Sequence, residues 1–391
     1  MISSALLCMY LAKRVLRRLL WSLTVRNSRS NSPKGFPNFS CDYVIIQPDK
    51  NIEAFMSIRK PSQRRNQNLE RLLRETNSLL EVAEERVATR DTCPEFPVIL
   101  IMGAPRSGST LFMQWLANTG LVDYPTNILS RFFGAPAIGA RIQKILTDPE
   151  FSFRDDLFDI QRDIGYESNL GKTSGALSPN EFWYFWRRFF PLEIPEPLTA
   201  GQLANVDIKT FLSELAALTD FYQKPFAMKG MLLNFNIDFL AKQSTGFIFV
   251  HLIRDTLFNA QSLLQARLDY FGNIKEWYSS KPPEYKWLKK MDPFHQVVGQ
   301  CIFTNYSIRE SLLRLPPNRA ISVGYESFCC NPKKVYDQLV EALHEHDAGV
   351  FSKYTGPEKF SSRNDVSLPA GEFSRLKDVH NAFMSGEVPA E

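Results

Sequence analysis

The chain has 391 residues, 44% of them hydrophobic, enough for one large domain or two small ones with an ample core. A formal net charge of +4 is too mild to argue for a nucleic-acid partner. Cys8, Cys41, Cys93, Cys301, Cys329 and Cys330 form no C-x-x-C pair and the histidines do not cluster, which argues against a metal site or a disulfide scaffold and for a reducing, cytoplasmic setting.

Residues 4–26 read as a basic amphipathic helix. At helical pitch Cys8, Ala12, Val15, Leu16, Leu19, Leu20 and Leu23 share one face, and Lys13, Arg14, Arg17 and Arg18 the other. The apolar stretch is too short to span a bilayer, and its charges follow rather than precede it, unlike a secretory signal. Such a helix either lies on an anionic membrane surface or docks on the protein's own core. Arg26 to Asp42 is rich in Ser, Asn and Pro and reads as a linker, leaving 43–391 as a single domain. A helix is predicted over Asn68–Thr89, where Leu69, Leu72, Leu73, Leu80, Ala83 and Val87 recur at helical spacing.

The stretch from Pro97 to Leu111, PVILIMGAPRSGSTL, reads as a buried strand, a tight turn and a helix opening on two hydroxyls. Backbone N–H groups in such a turn curl around an anion, and the positive end of the helix dipole points at it. Gly103, Pro105, Arg106, Ser107, Gly108, Ser109 and Thr110 are therefore candidate phosphate-binding residues. The spacing nearly fits the Walker A pattern, but Ser109 occupies the lysine position and the cation, Arg106, sits inside the loop. A triphosphatase normally needs that lysine on the β/γ-phosphates, so this loop suits a different anion.

Residues 120–225 are too long for a simple connection and are expected to form an insertion on the acceptor side of the site. Most aromatics in its densest stretch, Ser178 to Phe190, are expected to pack in a core, although rings of this kind also line sugar and lipid sites. Glu181 enters that stretch. Desolvation there would suit it to general-base work; the alternative is a helix N-terminal carboxylate stabilised by the dipole. Short strands follow at Pro225–Gly230, with Lys229 at the ligand-facing end, and at Gly246–Ile253, a continuous apolar run. His251 within that run is either a core histidine or a second candidate base. Arg254 and Asp255 end the strand, and Ser262 falls in a helix predicted over Leu257–Leu268. Further elements are a helix around Gln296–Ser307, a strand at Ala320–Gly324 and a helix at Pro332–His344. A loop at Phe360–Asp365 then precedes a tail with no predicted element. Alternating strands and helices imply an α/β fold, an open parallel sheet with helices on both faces and ligands beyond the carboxyl ends of its strands.

From about Pro97 to Leu343 the sequence resembles the sulfotransferases that use 3′-phosphoadenosine 5′-phosphosulfate (PAPS), whose P-loop carries Arg or Lys before Ser-Gly-[ST]-[ST]. The resemblance implies a P-loop, sulfotransferase-like architecture. It also implies that the loop and Arg106 hold the 5′-phosphosulfate, that Arg254 and Ser262, eight residues apart, grip the 3′-phosphate, and that Lys229 meets the sulfuryl group or the acceptor. The chain lacks the R-K-G-x-x-G-x-x-K stretch of the cytosolic aryl and steroid enzymes. That departure points to the bacterial and carbohydrate-type branches and leaves Ser362 and Arg363 as candidates to complete the 3′-phosphate site. The implied activity is metal-free transfer of a sulfuryl group to a hydroxyl of a carbohydrate or glycolipid, with Arg106, Glu181, Lys229 and His251 as candidate catalytic residues. Two rivals are a P-loop kinase with Asp255 as its acidic metal ligand, and a membrane-associated scaffold that binds nucleotide without turnover.

Overall fold

Four short apolar segments, β1 (Val98–Met102), β2 (Phe226–Lys229), β3 (Phe247–Ile253) and β4 (Ala320–Gly324), pair in parallel in the order β2-β1-β3-β4. Val98 stands opposite Phe226 on one side and Phe247 on the other, and Ile253 opposite Gly324. Successive side chains of a strand point to opposite faces, so a strand covered on both sides reads as unbroken apolar sequence. Val98, Leu100 and Met102 accordingly join one core with Phe226, Met228, Phe247 and Phe249. Ile99 and Ile101 join the other with Ala227, Ile248, Val250 and Val323.

The computed structural model describes residues 59–87, 93–151, 160, 163–346, 349 and 353–387. The amphipathic helix expected over 4–26 and the linker after it lie outside them. All described residues belong to one unit, Phe55–Glu391. No described helix is long and apolar enough to cross a membrane.

The helices that bear on the site are α1 (Gln67–Val87), α2 (Ser109–Asn118), α3 (Pro136–Thr147), α4 (Trp183–Phe189), α5 (Ile208–Tyr222), α6 (Thr256–Phe271), α7 (Pro293–Leu312), α8 (Pro332–His344) and α9 (Ala370–Ser385). Phe112, Trp115 and Leu116 of α2 pack with Val335, Leu339 and Leu343 of α8 on one face of the sheet. Phe185 and Trp186 of α4 pack with Phe211, Leu215 and Leu218 of α5 on the other. Much of the 120–225 segment is thus a core layer. Its rings Phe182, Phe185, Trp186 and Phe190 are fully buried, as their density suggested.

The tail departs from its sequence reading. It forms α9, whose Leu376 and Val379 are buried with Leu263 and Leu264 of α6 and Val297 and Cys301 of α7. Its apolar stripe is narrow and its surroundings polar, so packing against α6 and α7, rather than local pattern, supplies the helix's stability.

Candidate active site

Beyond β1 the chain turns into α2 through a loop drawn tight against its neighbours. A Cβ on Gly103 would lie 2.7 Å from the Leu252 carbonyl oxygen and 2.9 Å from Ser107 Oγ, so only glycine lets the end of β1 approach β3 this closely. Asn234 clamps the same residue: its Nδ2 donates to the Gly103 carbonyl at 2.8 Å, and its Oδ1 accepts from the Gly103 N–H at 3.3 Å. Arg106 and Gly108 have φ of 69° and 93°, the left-handed region. A Cβ on Gly108 would strike the Tyr325 ring at 2.4 Å. Among the described residues no side chain caps α2 at Gly108, and the buried Ser107 hydroxyl has no hydrogen-bond partner. Open N–H groups, a dipole end and an unpartnered hydroxyl are the features that suit a loop to an anion.

Two guanidiniums reach the same place. Arg106 Nε donates to Ser262 Oγ of α6 at 3.2 Å. Arg254, at the carboxyl end of β3, donates from Nη1 to the Arg106 carbonyl at 3.1 Å, from Nε to Asn364 Oδ1 at 3.0 Å and from Nη2 to the Arg363 carbonyl. Its guanidinium lies 5.1 Å from the Tyr325 ring centroid. Burial holds its pKa below the usual arginine value. Among the described residues no carboxylate lies within ion-pair distance of either arginine; their partners are hydroxyl, amide and carbonyl oxygens. Such cations await an external anion. Asp255 does not resemble a metal ligand here: its side chain caps α6 by accepting from the Leu257 and Phe258 N–H groups.

A second cluster lies on the acceptor side. Lys229 Nζ, on a side chain 6% exposed, donates to Thr110 Oγ1 at 2.8 Å and to Glu181 Oε1 at 3.0 Å. Trp183 Nε1 also donates to Glu181. Glu181 is therefore not the helix-terminal carboxylate of the alternative reading. Phe182 adopts φ 56° before α4 begins at Trp183, and the carboxylate is turned to Lys229. Gly171 makes room for it, since a Cβ there would lie 3.2 Å from Glu181 Oε1.

These groups surround a cavity of about 770 Å³. Pro105, Arg106, Gly108, Ser109, Thr110, Glu181, Arg254, Ser262, Ser362 and Arg363 line it. Gly103, Ser107 and Lys229 are buried behind it. His251 is not brought there. It is 1% exposed, its Nε2 shares a 3.1 Å hydrogen bond with Asn305 Oδ1, and burial lowers the imidazole to about 4.

Several residues that frame the site escape sequence reasoning. Asn259 Nδ2 donates to the Pro105 carbonyl at 2.6 Å. Gln261 ties down the 360–368 segment by donating to the Asp365 carbonyl and accepting from the Ser367 N–H. Tyr325 supports Gly108 and accepts from the Arg363 N–H at 3.1 Å. Only Tyr325, directly after β4, carried a positional signal; isolated Asn and Gln residues carry none. Among the described residues no group of three His, Cys, Asp or Glu side chains is placed to hold a metal ion.

The model of the Sulfotransferase family matches residues 97–347. Among solved structures, the chain is similar to the sulfotransferase STF9 from Mycobacterium avium, at 13% identity over 85% of this chain and 79% of that one, with a TM-score of 0.40. It is similar to STF1 from Mycobacterium tuberculosis H37Rv, at 13% identity over 79% and 81%, TM-score 0.40. The sulfotransferase domain of the Synechococcus PCC 7002 olefin synthase matches at 16% identity over 76% and 97%, TM-score 0.35. Among curated proteins none matches the sequence.

Proposed function

The chain belongs to the sulfotransferase family, and from that premise we propose that it transfers the sulfuryl group of PAPS to a hydroxyl of a carbohydrate or glycolipid acceptor. One observation carries the donor assignment. Two guanidiniums without carboxylate partners among the described residues, Arg106 and Arg254, line the same cavity as the uncapped start of α2. That is a binding surface for a ligand with two separate anionic groups, and the residues present fit PAPS. The Gly103–Thr110 backbone and Arg106 would hold the 5′-phosphosulfate. Arg254, Ser262 and Arg363 would hold the 3′-phosphate, which AMP and ATP lack.

Bound there, PAPS supplies an activated sulfuryl group on an S–O–P bridge. The chain's own residues do the rest. Glu181 takes the proton of the acceptor hydroxyl as that oxygen becomes a nucleophile. Lys229 fixes the carboxylate and joins it to Thr110 in the donor loop, so donor and base are positioned by one ammonium. Arg106 and the loop N–H groups stabilise the charge that grows on the leaving 5′-phosphate. Tyr166, Trp183 and Pro195, from the 120–225 segment, supply the acceptor side of the lining.

Incubation with sulfur-labelled PAPS and a panel of saccharides and glycolipids tests this reading. Label should pass to an acceptor, and Glu181→Gln should lower that rate by about 10²–10⁴ while leaving affinity for adenosine 3′,5′-bisphosphate near wild type. Transfer of γ-phosphoryl label from ATP, with none from PAPS, would overturn it.

A further inference from the structure

A second cavity of about 590 Å³ adjoins the first; Gly171, Glu181, Trp183 and Tyr278 line both. Glu181, the carboxylate that would meet the acceptor hydroxyl, lines both, so the second cavity is open space beside the reacting hydroxyl for the rest of the acceptor. Its walls are strongly basic. Arg64, Arg65, Arg131, Lys172 and Arg187 line it, and among the described lining residues the carboxylates are Glu70, Glu181 and Glu193.

Those carboxylates are already engaged. Glu181 pairs with Lys229 and Glu70 accepts from the Tyr184 hydroxyl. A single oxygen of Glu193, Oε2, is shared between Arg65 at 3.3 Å and Arg187 at 3.4 Å. Lys172 Nζ reaches only a neutral amide, Gln63 Oε1 at 3.3 Å, among the described residues. Rings hold the guanidiniums in place: Arg59 stands over Tyr270 at 5.2 Å, Arg65 over Tyr184 at 5.8 Å and Arg187 over Trp183 at 5.5 Å. Burial lowers the pKa of both Arg59 and Arg187; the Arg65 charge lowers each further, while Glu193 acts in the opposite direction on both. Cations gathered around one shared carboxylate repel one another, and an added anion relieves that repulsion.

We propose that the acceptor itself carries an anionic group, a carboxylate, phosphate or sulfate, held in this second cavity while its hydroxyl lies at Glu181. The proposal rests on the sulfuryl-transfer reading and narrows its acceptor class. A neutral saccharide would fill the space without using the charge.

Calorimetry on the full chain tests it with four probes: p-nitrophenyl β-glucoside, its 6-phosphate, its 6-sulfate, and p-nitrophenyl β-glucuronide. At least one anionic probe should bind ten-fold or more tighter than the neutral parent, the expected gain from a charge-assisted contact, and the gap should shrink as salt rises. Which probe wins identifies the anion. The double variant R65Q/K172Q should bring anionic and neutral affinities within about threefold of each other, the loss expected when such contacts go. Equal binding of all four probes to the wild type would overturn the proposal, and so would a preference that survives the double variant. Adenosine 3′,5′-bisphosphate, titrated separately into both proteins, reads the donor site alone. Its failure to bind would overturn the donor assignment, while the probe titrations would still decide the anion cavity.

Discussion

The sequence offers Glu181 as the first candidate base and His251, otherwise a core histidine, as the second, and their surroundings separate them. Glu181 lines the cavity with Lys229 and Trp183 on its oxygens, whereas His251 is enclosed by β3 and its neighbours with Asn305 as its partner. Local sequence could not reveal this, because the left-handed backbone at Phe182 that turns Glu181 toward Lys229 leaves no compositional mark. The buried imidazole has its own consequence. Folded, it titrates at about 4; unfolded, near its ordinary 6.5. Between those values the unfolded chain binds the proton and the folded one does not, so stability falls as pH drops from 6.5 toward 4. The full shift corresponds to roughly 3 kcal/mol at most. Urea unfolding of His251→Gln, which keeps an amide for Asn305, should show a shallower loss over that window than the wild type. Parallel wild-type and variant curves would show that His251 does not titrate as a buried neutral group.

Among the elements, the helix starts differ in how they are capped. Asp207, Asp255, Asp292 and Asn331 cap α5, α6, α7 and α8 with their side chains, while α2, at the donor loop, has no cap. The starts of α4 and α9 also lack a side-chain cap, and what distinguishes α2 is that its open start lies at the cavity lined by Arg106 and Arg254. The start of α3 is closed from elsewhere in the chain. The buried Glu84 of α1 accepts from the Ala137 and Ile138 N–H groups at 2.8 and 2.9 Å. Glu84→Ala should therefore cost about 1–2 kcal/mol in urea unfolding, the scale of a lost cap. Glu84→Gln, which keeps one acceptor oxygen, should cost less, and equal stability of all three proteins would refute the capping role. The strands, α2, α6 and α8 were legible because their apolar runs and caps are local. Glu84, Asn234 and α9 were not, since each is defined by a partner distant in the chain.

For the whole molecule, the order β2-β1-β3-β4 decides where chemistry can occur. The chain leaves β1 for β2 on one side and then crosses to β3 on the other, so the adjoining carboxyl ends of β1 and β3 form the switch point of the sheet. The Gly103–Thr110 loop and Arg254 stand at those two ends, which is why residues far apart in sequence meet at one cavity. Both motifs were legible, and so was their convergence, because parallel strands end on the same edge. The 360–368 segment that closes the site was less so, being held by Gln261 and Tyr325 rather than by any pattern of its own. This edge of the sheet should therefore bind a nucleotide through two separate phosphate sites. Isothermal titration of adenosine 3′,5′-bisphosphate and of AMP, without Mg²⁺, tests it most directly. Each charge-assisted contact contributes about 1.5–3 kcal/mol, so the bisphosphate should bind on the order of ten- to a hundredfold tighter than AMP. Arg254→Ala should abolish most of that difference while leaving AMP affinity nearly unchanged. Equal affinities of the wild type for the two nucleotides would contradict the account.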